Sequence, residues 1–188
     1  MTYRAYFMIY MNRILAVTFT TLALFHFSST IPAQEEARAA WEITNFDINA
    51  NVQQAERALR AVAILSATNV GRGTGSSFTF RINSKATIKA VTVGGANANF
   101  RTVPESYGNI QRVTVTLPNS FAPNASVVLT ISYSLPVETN GGLAAISPIG
   151  SQFLPLSHWY PAPNTAFTAR GADTAPFHLV VNGSNVIS

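Results

Sequence analysis

The chain contains no cysteine among its 188 residues. It therefore has no disulfide scaffold, no thiolate zinc site and no cysteine nucleophile. Charged residues are also scarce, at 11% of the sequence against 47% hydrophobic residues. This balance excludes long disordered charged tails and supplies enough apolar side chains for a packed core. A domain without disulfides depends on that core for its stability.

The motifs of several enzyme classes are absent from the sequence as well. There is no His-Glu-x-x-His zinc helix and no Gly-x-Ser-x-Gly nucleophile elbow. The segment Gly71–Gly75 lacks the Gly-Lys-Ser/Thr ending of a phosphate-binding loop, so we interpret it as a hairpin loop. The acidic residues form no spaced pair, and neither His158 nor His178 has an acidic neighbour in sequence. We therefore predict no catalytic residue, metal site or cofactor in this chain.

Basic residues outnumber acidic ones, 12 to 8, and the formal net charge is +4. Arg4 and Arg13 belong to an N-terminal segment that we expect to be removed, and the other basic residues are scattered. A nucleic-acid interface needs basic side chains gathered on one face or stripe. We therefore predict no nucleic-acid partner.

Residues 1–33 have the three-part layout of a secretory signal peptide, which we expect to be helical. Arg4 and Arg13 form a positive region, Ile14–Phe27 is mostly apolar, and Ala33 is a plausible residue before a cleavage site. Translation could start at Met1 or at Met11. The pattern predicts export to the periplasm or the extracellular space. An uncleaved segment would instead anchor the chain to a membrane, so both outcomes stay open.

The mature chain has the pattern of a sandwich of antiparallel strands. After a polar linker at residues 34–40, the domain at residues 41–188 shows about seven segments of alternating apolar and polar residues, the clearest being Val127–Leu135. A change of phase predicts a β-bulge near Thr44 and Asn45. The apolar run Ala58–Thr68 fits a buried strand or a short helix, and its β-branched residues favour the strand. Two sheets with one apolar face each must cover each other, which predicts an all-β sandwich.

The segment Leu143–Ala166 is rich in proline and aromatic residues, so we expect an ordered connection rather than a flexible linker. Its aromatic residues Phe153, Trp159 and Tyr160 either close one end of the sandwich or form a recognition surface. The segment Ala175–Val181 has the pattern of a further strand, and its position near Ser188 predicts a domain truncated at its C-terminal end.

Several short segments in a fixed order resemble one known family. They are Trp41-Glu42-Ile43, Ala67-Thr68-Asn69, Ser132-Tyr133-Ser134, Gly141-Gly142, Gln152 to Pro161 and Ala175 to Val181. Together they resemble the N-terminal domain of zinc metalloaminopeptidases of the aminopeptidase N type, the gluzincins. The resemblance implies a saddle-shaped β-sandwich that precedes a thermolysin-like catalytic domain.

The resemblance also implies where the chemistry is. The family's zinc ligands and catalytic glutamate lie in the His-Glu-x-x-His domain, and its Gly-x-Met-x-Asn exopeptidase motif is equally absent here. Zinc is therefore expected only in a catalytic domain outside this chain. The N-terminal domain contributes a Gln or Glu that holds the substrate's N-terminus, and Gln152 is the positional candidate. The implied partners are that catalytic domain and a peptide substrate.

Three functions are compatible with these features. The first is a fragment of an exported aminopeptidase-like protein, which packs against a zinc domain and walls one side of the substrate cleft. The second is a free-standing exported binding or adhesion module, with Phe153, Trp159 and Tyr160 as its recognition surface. The third is a structural surface-layer module. An isolated domain of the first kind would expose apolar surface and self-associate.

Overall fold

The computed structural model describes residues 38–137, 142–163 and 174–183. The strands up to residue 104 are β1 (Trp41–Gln53), β2 (Ala58–Asn69), β3 (Gly75–Asn83), β4 (Thr87–Val93), β5 (Ala96–Asn97) and β6 (Phe100–Pro104). The later ones are β7 (Ile110–Phe121), β8 (Ser126–Pro136), β9 (Ala144–Ser147), β10 (Gly150–Phe153), β11 (Ala162–Pro163) and β12 (Phe177–Gly183). One turn of 3₁₀ helix at Pro155–Ser157 is the only helical element among these residues.

The strands form two larger sheets and one hairpin. A six-stranded sheet has the order β12-β1-β2-β8-β4-β5, a four-stranded sheet has the order β11-β3-β7-β6, and β9 pairs with β10 alone. Neighbouring strands are antiparallel, except that β12 pairs with β1 in parallel. The predicted all-β antiparallel fold is therefore confirmed. The parallel pair at one edge is a difference that alternation within single strands does not predict.

Alternation along the strands produces one core between the larger sheets. On β2, every second residue from Leu59 to Ala67 is buried, and β8 repeats the pattern from Val127 to Leu135. Large core side chains of both sheets are Phe46, Ile48, Leu65, Phe78, Phe80 and Ile131. The Trp41 ring packs 5.8 Å from the Phe78 ring, and its Nε1 donates to the Ser77 carbonyl at 2.9 Å. The indole is thus buried with its polar atom satisfied.

Two predictions about β1 and β2 are confirmed in detail. The register between β1 and β2 shifts between Ile43 and Asn45, so the bulge lies at the expected position. The apolar run that begins at Ala58 is a strand rather than a helix. The short strands β5, β9 and β11 were not predicted, because two to four residues show too little alternation to recognise.

The side chain of Asn69 is buried at the end of β2 and joins the surrounding loops. Its Oδ1 accepts hydrogen bonds from the backbone N–H groups of Ala40 and Gly71, both at 3.1 Å. Its Nδ2 donates to the carbonyls of Gly73 at 2.8 Å and Phe121 at 3.1 Å. Both donors and both lone pairs of the carboxamide are therefore used. One side chain fixes the start of β1 against the β2–β3 loop.

Tyr133 on β8 is buried in a different way. Its side chain is 2% exposed, and its hydroxyl has no hydrogen-bond partner among the residues that the structure describes. Burial raises the pKa of this phenol above that of an exposed tyrosine, because the charged form would lose its hydration.

Residues 1–33 and most of the linker at 34–40 lie outside the described residues, so the signal segment and the domain boundaries stay predictions. Within the described ranges, no helix has the length and apolar character needed to cross a membrane.

Candidate functional site

The hairpin of β9 and β10 carries Gln152, the predicted substrate-binding residue. Gln152 pairs with Ala145 across the hairpin, and its side chain is exposed. Its Nε2 donates to the Gly142 carbonyl at 3.0 Å. Because the Nε2 group is held in this way, the Oε1 atom is oriented as an acceptor on the exposed hairpin. An acceptor of this type can bind an ammonium group.

A side-chain hydrogen bond fixes the turn end of this hairpin to the domain. Gln54 Nε2, in the turn after β1, donates to the Ser147 carbonyl at 2.6 Å. At the open end, the Leu154 N–H donates to the Leu143 carbonyl at 2.8 Å, which closes the hairpin itself. The hairpin belongs to neither of the larger sheets.

The three aromatic residues of the predicted recognition surface are in contact with one another. The ring centroids of Phe153 and Trp159 are 6.0 Å apart, and those of Trp159 and Tyr160 are 5.0 Å apart. The Tyr160 ring continues the row to Phe177 at 5.5 Å and Phe46 at 6.0 Å. Tilted and edge-on contacts of this kind stabilise aromatic clusters. The row joins the hairpin to β12.

The members of this row differ in accessibility. The Trp159 side chain is 7% exposed and packs in the core, whereas Phe153 and Tyr160 are half-buried. Trp159 therefore packs on the core side of the row, and its ring is not accessible to a ligand. The recognition role predicted for Phe153, Trp159 and Tyr160 rests on the partly exposed rings of Phe153 and Tyr160 alone.

The segment between Phe153 and Trp159 is fixed to the end of β3. Asn83 Nδ2 donates to the Ser157 carbonyl at 2.8 Å, and the Asn83 N–H donates to the His158 carbonyl at the same distance. His158 ends the 3₁₀ turn in the left-handed region, with φ at 51°. Desolvation lowers the pKa of its imidazole, with a smaller lowering by Arg81 and an opposing effect of Glu105. His158 is thus a structural residue at a strained turn.

No group of three or more His, Asp or Glu side chains that could hold a metal ion occurs within the described ranges. These residues do not fit a zinc site, so no chemical step through zinc is assigned to them. His178 does have an acidic partner in space, since its Nδ1 lies 3.0 Å from Asp47 Oδ1 on the neighbouring strand. Sequence spacing could not show this pair, because 131 positions separate the two residues.

Large apolar side chains are exposed on and beside the hairpin. Ile149 is 98% exposed and Leu156 is 72% exposed, and Leu143 and Leu154 are also exposed. Exposed apolar clusters on a domain mark contact surfaces.

A groove of about 690 Å³ with a mixed polar and apolar lining lies against β1, β2, β4 and β8 of the six-stranded sheet. The polar side chains that line it include Asn49, Asn51, Arg60, Lys89, Ser132 and Ser134. Sequence analysis missed this groove, although these polar side chains occupy the polar positions of the alternating strands. Recognising it requires the strand order, which brings β1, β2, β8 and β4 side by side.

Comparison with known proteins agrees with this architecture. No protein-family profile matches the chain, and no curated protein matches it significantly in sequence. Among solved structures, yeast LTA4 hydrolase in complex with bestatin is similar over 83% of this chain and 25% of its own length, with a TM-score of 0.55 and 10% identity. The M1 zinc metallopeptidase from Deinococcus radiodurans matches 56% of this chain and 22% of its own length, with a TM-score of 0.42 and 21% identity.

A two-domain M1 zinc metallopeptidase bound to L-tryptophan is also similar, over 56% of this chain and 23% of its own, with a TM-score of 0.43 and 20% identity. The chain therefore spans about a quarter of the length of the solved structures it matches. The fold is a β-sandwich similar to a part of yeast LTA4 hydrolase. The resemblance predicted from the sequence is confirmed at the level of the fold.

Proposed function

We propose that this chain is the non-catalytic N-terminal domain of an exported aminopeptidase-like metallopeptidase. In this proposal it packs against a zinc-containing catalytic domain and forms one wall of the substrate cleft. The observation that carries the proposal is the fold match to yeast LTA4 hydrolase, which covers 83% of this chain but only 25% of that enzyme. A domain that matches a quarter of an enzyme and has no motif for its chemistry fits a supporting role.

The exposed apolar residues around the β9–β10 hairpin support a packing role. Ile149 and Leu156 are the most exposed of them, and Leu143 and Leu154 lie close by in sequence. Covering such side chains removes apolar surface from water and stabilises association. The proposed contact surface for the catalytic domain is therefore this hairpin and the 3₁₀ turn after it.

Gln152 lies on the same hairpin, so a wall of the cleft at this surface would place its Oε1 near the substrate. The proposed role of Gln152 is to accept a hydrogen bond from the N-terminal ammonium of a peptide. In the assembled enzyme, Gln152→Ala would raise KM for peptides and leave kcat nearly unchanged, because the contact is made equally in the ground and transition states. The Gln152→Glu variant keeps an acceptor and should retain a low KM.

The coding sequence downstream of the Ser188 codon tests the proposal directly. An open reading frame with a His-Glu-x-x-His motif and a later glutamate is the expected result. The purified chain by itself should not cleave amino-acyl reporter substrates, and co-expression with the downstream segment should give a complex that does. A stop codon at this point, or activity of the isolated chain, would contradict the proposal.

Export is part of the same proposal and rests on residues 1–33. N-terminal sequencing of the protein recovered outside the cytoplasm should begin at Gln34 if the segment is cleaved after Ala33. Recovery of the intact segment from a membrane fraction would instead support an anchored form.

The groove on the six-stranded sheet favours one alternative, a free-standing exported binding or adhesion module. Its side chains Asn49, Asn51, Ser132 and Ser134 offer hydrogen-bond donors and acceptors, and Arg60 adds a cation paired with Glu56 at 2.7 Å. A stop codon after Ser188, together with loss of ligand binding in a Ser132→Val variant, would favour this function over the first.

A further inference from the structure

The edges of the two larger sheets differ in how they are protected. The six-stranded sheet ends at β5 and β12, and the four-stranded sheet ends at β11 and β6. β5 and β11 have two residues each, and both β11 and β6 end in proline. Short length and proline are common ways to prevent edge strands from pairing with another chain. Three of the four edges are therefore protected.

The fourth edge, β12, has none of these protections. Its seven residues, Phe177–Gly183, include no proline and no lysine, arginine, aspartate or glutamate. All seven are exposed, including the apolar side chains of Phe177, Leu179, Val180 and Val181. An uncharged, regular and apolar edge strand is a template for pairing with another strand.

The direction of the β12 backbone groups follows from its pairing with β1. The Phe46 N–H donates to the Pro176 carbonyl at 2.9 Å, so the carbonyl of Pro176 faces β1. Because successive residues of a strand face opposite edges, the N–H and C=O groups of Phe177, Leu179, Val181 and Gly183 face away from β1. No described strand pairs with that side of β12.

Side-chain hydrogen bonds hold β12 against β1 and keep the free edge in place. His178 Nδ1 lies 3.0 Å from Asp47 Oδ1, and Asn182 Nδ2 donates to Asn49 Oδ1 at 3.0 Å. These contacts lie near the two ends of the strand, so its whole length is held in register with β1.

We propose that the outer edge of β12 pairs with β12 of a second copy of this chain, antiparallel and about a two-fold axis at Val180. In this register Leu179 lies opposite Val181 of the other copy, and Phe177 lies opposite Gly183. These are the residues whose backbone groups face outwards, so each such pair can exchange both of its hydrogen bonds. The six-stranded sheets of the two copies then become one continuous sheet.

The side chains of β12 complement themselves in this register. On the side of the sheet that faces the core, apolar residues meet apolar residues, and the Phe177 ring covers Gly183 of the other copy, an arrangement that stabilises glycine in strands. On the opposite side, His178 meets Asn182 and Val180 meets its own copy. No like charges are brought together. The order of polar and apolar residues in β12 is symmetric about Val180. This symmetry favours a second copy of β12 as the partner over an unrelated strand.

This self-association differs from the packing proposed for the hairpin. It uses the β12 edge of the six-stranded sheet, and it involves none of the exposed apolar residues assigned to the hairpin surface, which are Leu143, Ile149, Leu154 and Leu156. It therefore stands or falls independently of the proposed function. A coding sequence without a peptidase domain would leave it intact, and a monomeric chain would leave the peptidase proposal intact.

Sedimentation velocity of the exported chain over a range of concentrations tests the pairing. We expect a concentration-dependent dimer, which Val180→Lys weakens at least tenfold because it places two ammonium groups at the two-fold axis. Val62→Lys is the matched control. Val62 is 39% exposed and Val180 is 37% exposed, and both face the polar side of the six-stranded sheet, but Val62 lies on the interior strand β2. Circular dichroism checks that both variants are folded.

Cross-linking tests the register. Val180 faces its own copy at a non-hydrogen-bonded position, where Cα atoms in antiparallel pairs lie about 4.5 Å apart, within reach of a disulfide. Because the chain has no cysteine, a single Val180→Cys variant should give a covalent dimer on oxidation, and Val62→Cys should not. A monomer at all concentrations, as expected if another segment or protein occupies the edge, would overturn the proposal. A dimer that Val180→Cys does not cross-link, or that both lysine variants weaken equally, would also overturn it.

Discussion

The strands that enclose the core and the C-terminal segment from β9 to β12 are held together by different means. In β1, β2, β3, β7 and β8, alternate side chains are buried between two sheets. In the C-terminal segment, Ile146 and Trp159 are buried, but a row of aromatic rings and a few side-chain hydrogen bonds supply most of the contacts, and no residue of β12 is buried. The comparison indicates that the first region supplies most of the stability, whereas the second presents surface.

Removing one large aromatic side chain from each region is the strongest test of this difference. Phe80 on β3 is fully buried, so Phe80→Ala should lower the free energy of unfolding by about 3–5 kcal/mol. Phe153 on β10 is half-buried, so Phe153→Ala should lower the free energy of unfolding by only about 1–2 kcal/mol. Chemical denaturation measures both values. Equal losses would mean that the hairpin is as integral to the core as β3.

Two asparagine side chains, one buried and one exposed, test the same difference in stability between the two regions. Asn69→Ala should lower the free energy of unfolding by about 2–3 kcal/mol, because buried backbone groups of the loops lose their partner. Asn182→Ala removes an exposed hydrogen bond to Asn49 and should change it by at most about 0.5 kcal/mol. The measurement is made at low protein concentration, where self-association is negligible. A large loss of stability in Asn182→Ala would show that β12 contributes substantially to the stability of the domain.

Tyr133 offers an expected gain instead of a loss. Tyr133→Phe removes a buried hydroxyl that has no partner in the described part of the chain, and it should stabilise the domain by about 1 kcal/mol at neutral pH. Burial raises the pKa of Tyr133, so above the pKa of an unfolded tyrosine, about 10, the phenol ionises more readily in the unfolded chain than in the folded one. The free energy of unfolding of the wild-type domain is therefore unaffected by this group below that pH and falls as the pH rises further. The advantage of Tyr133→Phe should therefore grow above that pH. Tyr107→Phe, at a tyrosine that is 85% exposed, is the control and should leave the free energy of unfolding at neutral pH nearly unchanged.

Ion pairs should give the smallest difference between the regions. Arg81 and Glu105 lie 3.0 Å apart beside the four-stranded sheet, and the Glu105 side chain is only 18% exposed. Glu105→Gln should cost up to about 1 kcal/mol in thermal or chemical denaturation. Asp47→Asn breaks the more exposed contact with His178 and should cost at most about 0.5 kcal/mol. A larger loss for Asp47 would show that β12 stabilises the sheet more than its exposure indicates.

The same two regions explain how far sequence analysis could reach. The positions of β2 and β8, the bulge at Thr44 and the all-β class follow from alternation, because one buried face imposes a period of two residues. The parallel pairing of β12 with β1 and the contact of His178 with Asp47 depend on chain segments far apart in sequence. No local pattern encodes them.

The candidate site shows the same limit. Sequence analysis singled out Phe153, Trp159 and Tyr160, and the structure brings them together in one row. It left open whether these residues close one end of the sandwich or form a recognition surface, because aromatic residues between prolines can face inwards or outwards with the same local sequence. Neither the position of Gln152 on an exposed hairpin nor the groove on the six-stranded sheet can be recognised without the tertiary arrangement.

The parallel contact between the first and last strands also bears on how the domain forms. β1 is synthesised before the other strands and can pair with β2 as soon as β2 has emerged. Its other edge pairs with β12, which is synthesised much later. Contacts over such long sequence separations carry a high cost of loop closure and form late. During synthesis the outer edge of β1 is thus open until residues 177–183 have emerged. We therefore expect closure of this edge by β12 to be a late step in folding, and a chain stalled before it to expose an edge strand prone to aggregation.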